Sequence, residues 1–445
     1  MTLKISISGV RGIVGQTLTD DVVTDFARAF ASYLKRGTVV IGRDSRASGQ
    51  HISSIFIDTL RSLGISVIDI GLAPTPTVQL MVKHLKADGG VILTASHNPV
   101  EWNGIKFVRS DGIFLNEDQA GKLIHIYDTK AFKDTAGDRG SIRKIDNSYD
   151  VHINRILDVI DAGSIKKRNF KVVLDSCNGA GSIITVQLLE RLGCSVIGLY
   201  TDPNKPFPHN PEPIPSNLKD LCGRVVKERA DLGLAQDADA DRLAIVTEAG
   251  IAPGEEYTMA IAVQNVLSKA KAGKKFVVTN LSTSMMSDDI ARRFDAKVLR
   301  TKIGEVNVAE RMKKEKGLIG GEGNGGVMYP QVGYNRDSLA GIGLLLDSMA
   351  GSGKKISELI SELPKYEIVK KKMDCASSNE VSDMLDKIKK AYKGTKMDIT
   401  DGIKLIYPEA WVHVRASNTE PVIRVIAEAK SLKEAEALTS RILDL

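Results

Sequence analysis

The sequence predicts an α/β protein of three related domains, each with a mixed, mainly parallel sheet, followed by a smaller C-terminal α+β domain. Three observations point there. One pattern, an apolar run, a polar Gly/Ser-rich turn, an amphipathic stretch and a second apolar run, occurs three times, each occurrence reading as βαβ. After about residue 364 the pattern gives way to a Lys-rich helix and alternating strands. The 445 residues, 42% of them hydrophobic, exceed what one core organises, so three or four domains are expected, with active sites between them.

The first unit takes a strand at residues 39–41, a turn at 42–49, a helix over 52–63 and a strand at 65–68. The second takes a strand at 172–174, a turn at 175–181, a helix to 192 and a strand at 195–197; the third, a strand at 276–278, a turn at 280–284, a helix to 294 and a strand at 297–299. The repeats lie too far apart for a solenoid. The last segment reads as a helix over 381–392, strands at 402–407, 411–415 and 422–427, and a closing helix from Leu432. These place the domains at 1–150, 151–250, 251–365 and 366–445.

Lys plus Arg exceed Asp plus Glu by 61 to 55, but the charges are interspersed and the runs Lys370-Lys371-Lys372 and Lys389-Lys390 are short. They read as solvated faces, which argues against nucleic acid and leaves a small anionic substrate. Four scattered cysteines form neither a zinc motif nor a disulfide framework, so a reducing, cytoplasmic setting is expected. No stretch reaches ~18 consecutive apolar residues, and the N-terminus lacks the features of a signal peptide, so no membrane association is expected.

Four polar loops need explaining. Thr94-Ala95-Ser96-His97-Asn98-Pro99 follows an apolar strand and puts a hydroxyl at the carboxyl edge of a sheet, as a nucleophile or phosphoryl carrier requires; a plain capping turn is the other reading. Ten residues on, Asn103-Gly104-Ile105-Lys106 reads as a tight reversal returning an ammonium toward that hydroxyl, with a plain surface lysine as the other reading. In Asp237-Ala238-Asp239-Ala240-Asp241-Arg242, three carboxylates at alternate positions call for a cation, a solvated acidic turn being the other reading. Oxygen ligands favour Mg²⁺, and an EF-hand fails because Arg242 stands where its turn demands Gly.

The third loop, Gly320-Gly321-Glu322-Gly323-Asn324-Gly325-Gly326, lets backbone approach a ligand while Glu322 and Asn324 offer groups suited to sugar hydroxyls; a surface turn would also explain it. In the fourth, Arg415-Ala416-Ser417-Asn418-Thr419-Glu420-Pro421 with Arg424 combines guanidiniums, hydroxyls and backbone N–H groups as a phosphate cradle does, or else the arginines pair with surface acids. Arg11, embedded in Ser8-Gly9-Val10-Arg11-Gly12, is a further candidate anion contact.

Together, in this order and one per domain, these motifs resemble those of the α-D-phosphohexomutase family over nearly the whole chain. The resemblance implies four domains around a central cleft, a phosphoserine at Ser96, and Mg²⁺ held by Asp237, Asp239 and Asp241 with the serine phosphate. It further implies Glu322 and Asn324 on the sugar; Arg415, Ser417, Asn418, Thr419 and Arg424 on the phosphate that does not react; and Arg11, His97, Lys106 and Arg242 around the reacting centre, with Lys106 moving the proton. The implied reaction interconverts hexose 6-phosphate and hexose 1-phosphate through a sugar bisphosphate intermediate, which also serves as activator. The partner is thus a small hexose phosphate, and the resemblance leaves room for a homodimer.

This sequence departs from the family at Ala238, where Gly is usual, and at Asn324 and Gly326, where Ser and His are commoner. Ser6-Ile7 also stands where many relatives carry Gly-Thr. The Gly-Glu-Gly-Asn-Gly-Gly form looks like the archaeal and related branch, which includes phosphoglucosamine mutases and bifunctional mannose/glucose enzymes. Thr301-Lys302-Ile303-Gly304-Glu305 resembles phosphoglucosamine mutases, so that is the expected activity, with phosphomannomutase/phosphoglucomutase as the alternative. A non-catalytic phosphosugar-binding protein would be expected to have lost Ser96 or an aspartate, and a phosphatase would need a site open to water.

Overall fold

The computed structural model describes residues 2–132, 138–375, 377–416 and 422–445. Among them four sheets form. The first has seven strands, in the order Lys4–Ser6, Gly9–Ile13, Trp102–Arg109, Gly89–Leu93, Thr38–Arg43, Ser66–Leu72, Ile142–Lys144. The second runs Leu243–Thr247, Leu232–Gln236, Lys171–Asp175, Ser195–Tyr200, and the third Gly326–Met328, Ile319–Glu322, Lys275–Asn280, Ala296–Thr301. Each contains the same core of three parallel strands flanked by one antiparallel strand. The three βαβ units read from the sequence lie in these cores, with helices Gly49–Ser62, Gly181–Arg191 and Met286–Arg293 as crossovers.

This repeated topology positions the polar loops. In each domain the connection from the last parallel strand to its antiparallel neighbour leaves the carboxyl edge, where α/β sheets bind ligands. That connection carries Ser96 in the first domain, the three aspartates in the second, and Gly323 to Gly325 of the glycine loop in the third. The ends of the central strands match too: Asp44, Asp175 and Asn280 each accept, through Oδ1, the N–H two residues on, at 3.0, 2.8 and 2.9 Å. Such side-chain turns fix how the chain leaves a strand.

Residues 97–101, not Asn103-Gly104, make the reversal after Ser96. Trp102 N donates to the Pro99 carbonyl at 3.1 Å, and Asn103, Gly104 and Lys106 all lie within the strand Trp102–Arg109. Glycine at 104 answers a packing need, since a Cβ there would lie 2.5 Å from the Val10 carbonyl oxygen and 2.8 Å from that of Thr94. Lys106 still reaches the site, carried by the strand.

The helix Ser338–Ser352, apolar on almost every face, is buried in one core shared by the second and third domains, together with Leu174, Leu188, Met259 and Ile319. Phe26, Phe30, Phe56 and Phe107 fill the core of the first domain. The C-terminal sheet is antiparallel, in the order Glu367–Asp374, Val422–Ala429, Trp411–Ala416, Ile403–Ile406, Met397–Asp398. The lysine run 370–372 lies on its edge strand, where charge discourages pairing with other chains. The cysteines are free, and among the described residues no helix is long and apolar enough to cross a membrane.

Candidate active site

Ser96 is 2% exposed and sits at φ +51°, a left-handed conformation costly for any residue but glycine. Its surroundings hold it there. Thr94 Oγ1 accepts the Ser96 N–H at 2.8 Å and donates to Asp44 Oδ2 at 2.6 Å. The buried Arg46 guanidinium pairs with Asp44 and donates to the carbonyls of Ser96 (2.8 Å) and Asn98. The Ser96 hydroxyl, its backbone thus fixed, lies 3.0 Å from Asp237 Oδ2 of the next domain and 3.3 Å from His97 Nδ1. Burial, with Arg242 and Arg11 adding to it, pushes His97 well below the ordinary histidine range. Arg11 donates to Asn98 Oδ1 at 3.1 Å.

The loop 237–241 turns its three carboxylates inward, with one oxygen from each within 4.8 Å of the others, and all three are buried. Asp237 Oδ1 accepts the N–H groups of Asp241 and Arg242, both at 3.1 Å, which closes the loop. Asp239 Oδ2 receives Lys106 Nζ at 2.7 Å and the Thr75 hydroxyl at 2.6 Å. Burial alone would raise the Asp239 carboxyl, but these contacts outweigh it and hold it below the usual range. Asp237 is pushed well above that range by burial and by the like charges of Asp241 and Asp239.

Asp239 Oδ1 and Asp241 Oδ1 are buried with no hydrogen-bond partner among the described residues. Two orphaned carboxylate oxygens beside a third carboxylate are what a bound divalent cation would satisfy, so the donor set fits Mg²⁺. Arg242 lies 4.0 Å from Asp237 and 3.9 Å from Asp241, and reaches Glu212 at 3.3 Å. An EF-hand is ruled out here, because Leu243–Thr247 is a strand and Glu248 accepts the Ser357 hydroxyl.

On the facing wall, Glu322 accepts from Asn280 Nδ2 at 2.9 Å, the Gly304 N–H at 3.0 Å and Arg336 Nη1 at 3.0 Å. Burial opposes ionisation, but these donors keep its carboxyl below the ordinary range. Arg336 also reaches Asp241 Oδ2 at 2.6 Å and Glu305 Oε2 at 3.1 Å. Burial raises Glu305 to about 7. Asn324 Oδ1 accepts the Gly326 N–H at 3.3 Å, which shapes the loop tip.

The last domain joins through Asp401, whose Oδ2 accepts the Ile303 N–H at 2.9 Å and whose Oδ1 accepts from Arg415 at 3.3 Å. Arg415 and Arg424 stand directly opposite each other on paired strands. Like charges in that position repel, and the Asp401 carboxylate on Arg415 offsets part of that repulsion. Ser417, Asn418 and Thr419 lie outside the described residues.

The structure thus gathers Ser96, His97, Arg11, Lys106, Arg242, Asp237, Asp239 and Asp241 at the junction of the first two domains, with Glu322 and Asn324 on the adjoining loop. Sequence reasoning missed Arg46, Thr75 and Arg336, and gave Glu305 no role. Asp44-Ser45-Arg46 could have been found by aligning the three βαβ turns, where an Asx residue recurs. Nothing in its own stretch of chain marks Arg336.

Four domain families match the chain in order, phosphoglucomutase/phosphomannomutase alpha/beta/alpha domains I, II and III at residues 3–134, 150–250 and 254–366, and the C-terminal domain at 369–445. A phosphoglucomutase/phosphomannomutase of Thermococcus kodakarensis is 41% identical, with 96% of this chain and 94% of that protein covered. A phosphoglucosamine/phosphogalactosamine mutase of Sulfurisphaera tokodaii is 34% identical, with 98% and 97% covered. A crystal structure of a phosphoglucomutase/phosphomannomutase family protein from Burkholderia thailandensis, 28% identical, superposes with a TM-score of 0.84 over 99% of this chain and 96% of that one. With matches of that extent along all four domains, the chain belongs to the phosphoglucomutase/phosphomannomutase family of α-D-phosphohexomutases.

Proposed function

We propose that this chain is a phosphohexomutase that interconverts hexose 6-phosphate and hexose 1-phosphate through a phosphoserine at Ser96. The observation that carries the reading is the Ser96 hydroxyl, held in a strained turn 3.0 Å from Asp237 at the edge of a carboxylate cluster with two orphaned oxygens. Asp237, Asp239 and Asp241 would hold Mg²⁺ together with the serine phosphate. The ion, when bound, supplies positive charge against the phosphoryl oxygens.

The residues of the chain do the rest. Arg11, Arg242 and neutral His97 surround the phosphoryl position, binding its oxygens and orienting them. Phospho-Ser96 gives its phosphoryl to the free hydroxyl of the substrate: the bond to Ser96 Oγ breaks, the bond to the sugar oxygen forms, and Lys106, acting as the neutral amine, takes the hydroxyl proton and becomes the ammonium. The resulting bisphosphorylated sugar turns end for end and returns its other phosphoryl to Ser96, while the proton goes back to the sugar oxygen. Asn324 and Glu322 line the sugar side, and Arg415, Ser417, Asn418, Thr419 and Arg424 grip the phosphate that is not reacting. Four domains around the cleft, at about 1–150, 151–250, 251–365 and 366–445, keep water from the phosphoserine.

The preferred sugar is glucosamine phosphate, on the resemblance carried by Thr301 to Glu305 and the amino-sugar relative. A second reading, phosphomannomutase/phosphoglucomutase, is favoured by the 41% identity of the Thermococcus relative. Parallel assays on glucosamine 6-phosphate, mannose 1-phosphate and glucose 1-phosphate, with Mg²⁺ and a trace of sugar bisphosphate, separate the two. Faster turnover of the amino sugar supports the first; comparable or faster turnover of the neutral sugars establishes the second. Steady release of inorganic phosphate would refute both.

A further inference from the structure

Arg336 takes no part in the motifs, yet it ties three of the functional segments together. Its guanidinium has five N–H groups. Nε donates to Glu305, Nη1 to Glu322 and Nη2 to Asp241, at 3.1, 3.0 and 2.6 Å. One N–H on each Nη atom has no partner among the described residues. The side chain retains 11% exposure, and its charge is felt at both Arg11 and His97 of the phosphoserine side. A fixed guanidinium with two unused donors, between the metal loop and the sugar loop, is preorganised to receive oxygen atoms of a ligand.

Gly326 shows what this arrangement requires. Its backbone has no positive φ, so conformation does not demand glycine there. Space does: a Cβ would lie 2.3 Å from Arg336 Cδ and 2.9 Å from its Cγ. Any side chain at 326 would push the guanidinium away from Asp241 and Glu322. That accounts for the departure from the commoner form of the loop at this position.

We propose that Arg336 is a substrate-binding and positioning residue that clamps the sugar loop to the metal loop and presents its two remaining N–H groups to hexose oxygens, and that Gly326 is glycine in order to admit it. This rests on the mutase reading and adds to it a determinant of sugar binding. A lysine could not replace it, because one ammonium cannot serve three carboxylates in this planar arrangement.

The test is steady-state kinetics of the full chain with Mg²⁺, on whichever hexose phosphate it turns over, for R336A, R336K, G326A and the double variant. R336A should raise KM about 10- to 100-fold, more than it lowers kcat, with R336K between it and the parent. G326A should have a similar effect in the parent but change R336A by no more than about two-fold, because the clash with Arg336 has gone and only the milder 3.0 Å approach to Asn324 Oδ1 remains. An unchanged KM in R336A, or a G326A effect equal in both backgrounds, would overturn the proposal. Should R336A not fold, R336K and G326A decide: a parental KM in both refutes it. Absence of turnover in the parent protein would instead remove the mutase reading itself.

Discussion

Replacing Arg46 by methionine tests how the serine loop is held. The guanidinium and the Asp44 carboxylate are both fully buried, and Arg46 donates in addition to the carbonyls of Ser96 and Asn98. Removing one partner of a buried ion pair costs about 3–5 kcal/mol, because the remaining charge stays uncompensated. Asp44 would keep only the Thr94 hydroxyl and the N–H of residue 46. For the first domain, where about 1 kcal/mol moves the midpoint roughly 2–4 °C, the unfolding transition should fall by about 6–20 °C. Differential scanning calorimetry of the purified chain measures this. Ser96, at φ +51°, should also leave its productive position, lowering kcat in the variant that remains folded at 25 °C. A midpoint within about 2 °C of the parent and an unchanged kcat would show that Arg46 does not hold the loop.

Asp239→Asn removes the carboxylate that receives Lys106 and Thr75; mutase activity should fall by at least about 100-fold and no longer respond to Mg²⁺, as titration into chelator-treated protein would reveal. Ser96→Ala should abolish turnover with an unchanged thermal midpoint, since its loop is held by other groups; retained activity would exclude the phosphoserine route. His413 is buried between Ser282 Oγ (2.8 Å) and the Asp401 carbonyl (2.6 Å), and burial lowers its pKa to about 4. A base so depressed contributes stability that is present above its unfolded value of about 6.5 and is lost as pH falls toward 4, here about 3 kcal/mol in all. The hydrogen-exchange protection factors of residues 411–416, each rate being divided by the intrinsic rate at its pH, should therefore fall from pH 6.5 to 4.5, and less so in His413→Asn.

Much of this was readable in the chain because each element announces itself locally. The three βαβ units show as apolar runs separated by Gly/Ser turns, and each strand read there overlaps an observed one, although Ser66–Leu72 and Ser195–Tyr200 run past the ends read at 68 and 197. Asp237-Ala238-Asp239-Ala240-Asp241 is legible because repulsion among close carboxylates is a local fact. Asn103-Gly104 misled because glycine serves turns and close packing alike, and only the neighbouring carbonyls of Val10 and Thr94 decide between them. Arg336 and Thr75 were invisible because their meaning lies in partners 95 and 164 residues away, Asp241 and Asp239. The strands Lys4–Ser6 and Ile142–Lys144 are three residues each, too short for alternation to mark.

The most direct test of the central claim is to incubate the full chain and Mg²⁺ with a hexose bisphosphate carrying labelled phosphate, then to locate the label by peptide mass spectrometry. The mutase account predicts about one labelled phosphoryl per chain on the peptide containing Ser96, transferable to added unlabelled hexose phosphate. Label on another residue, or its loss as inorganic phosphate rather than transfer to sugar, would contradict it.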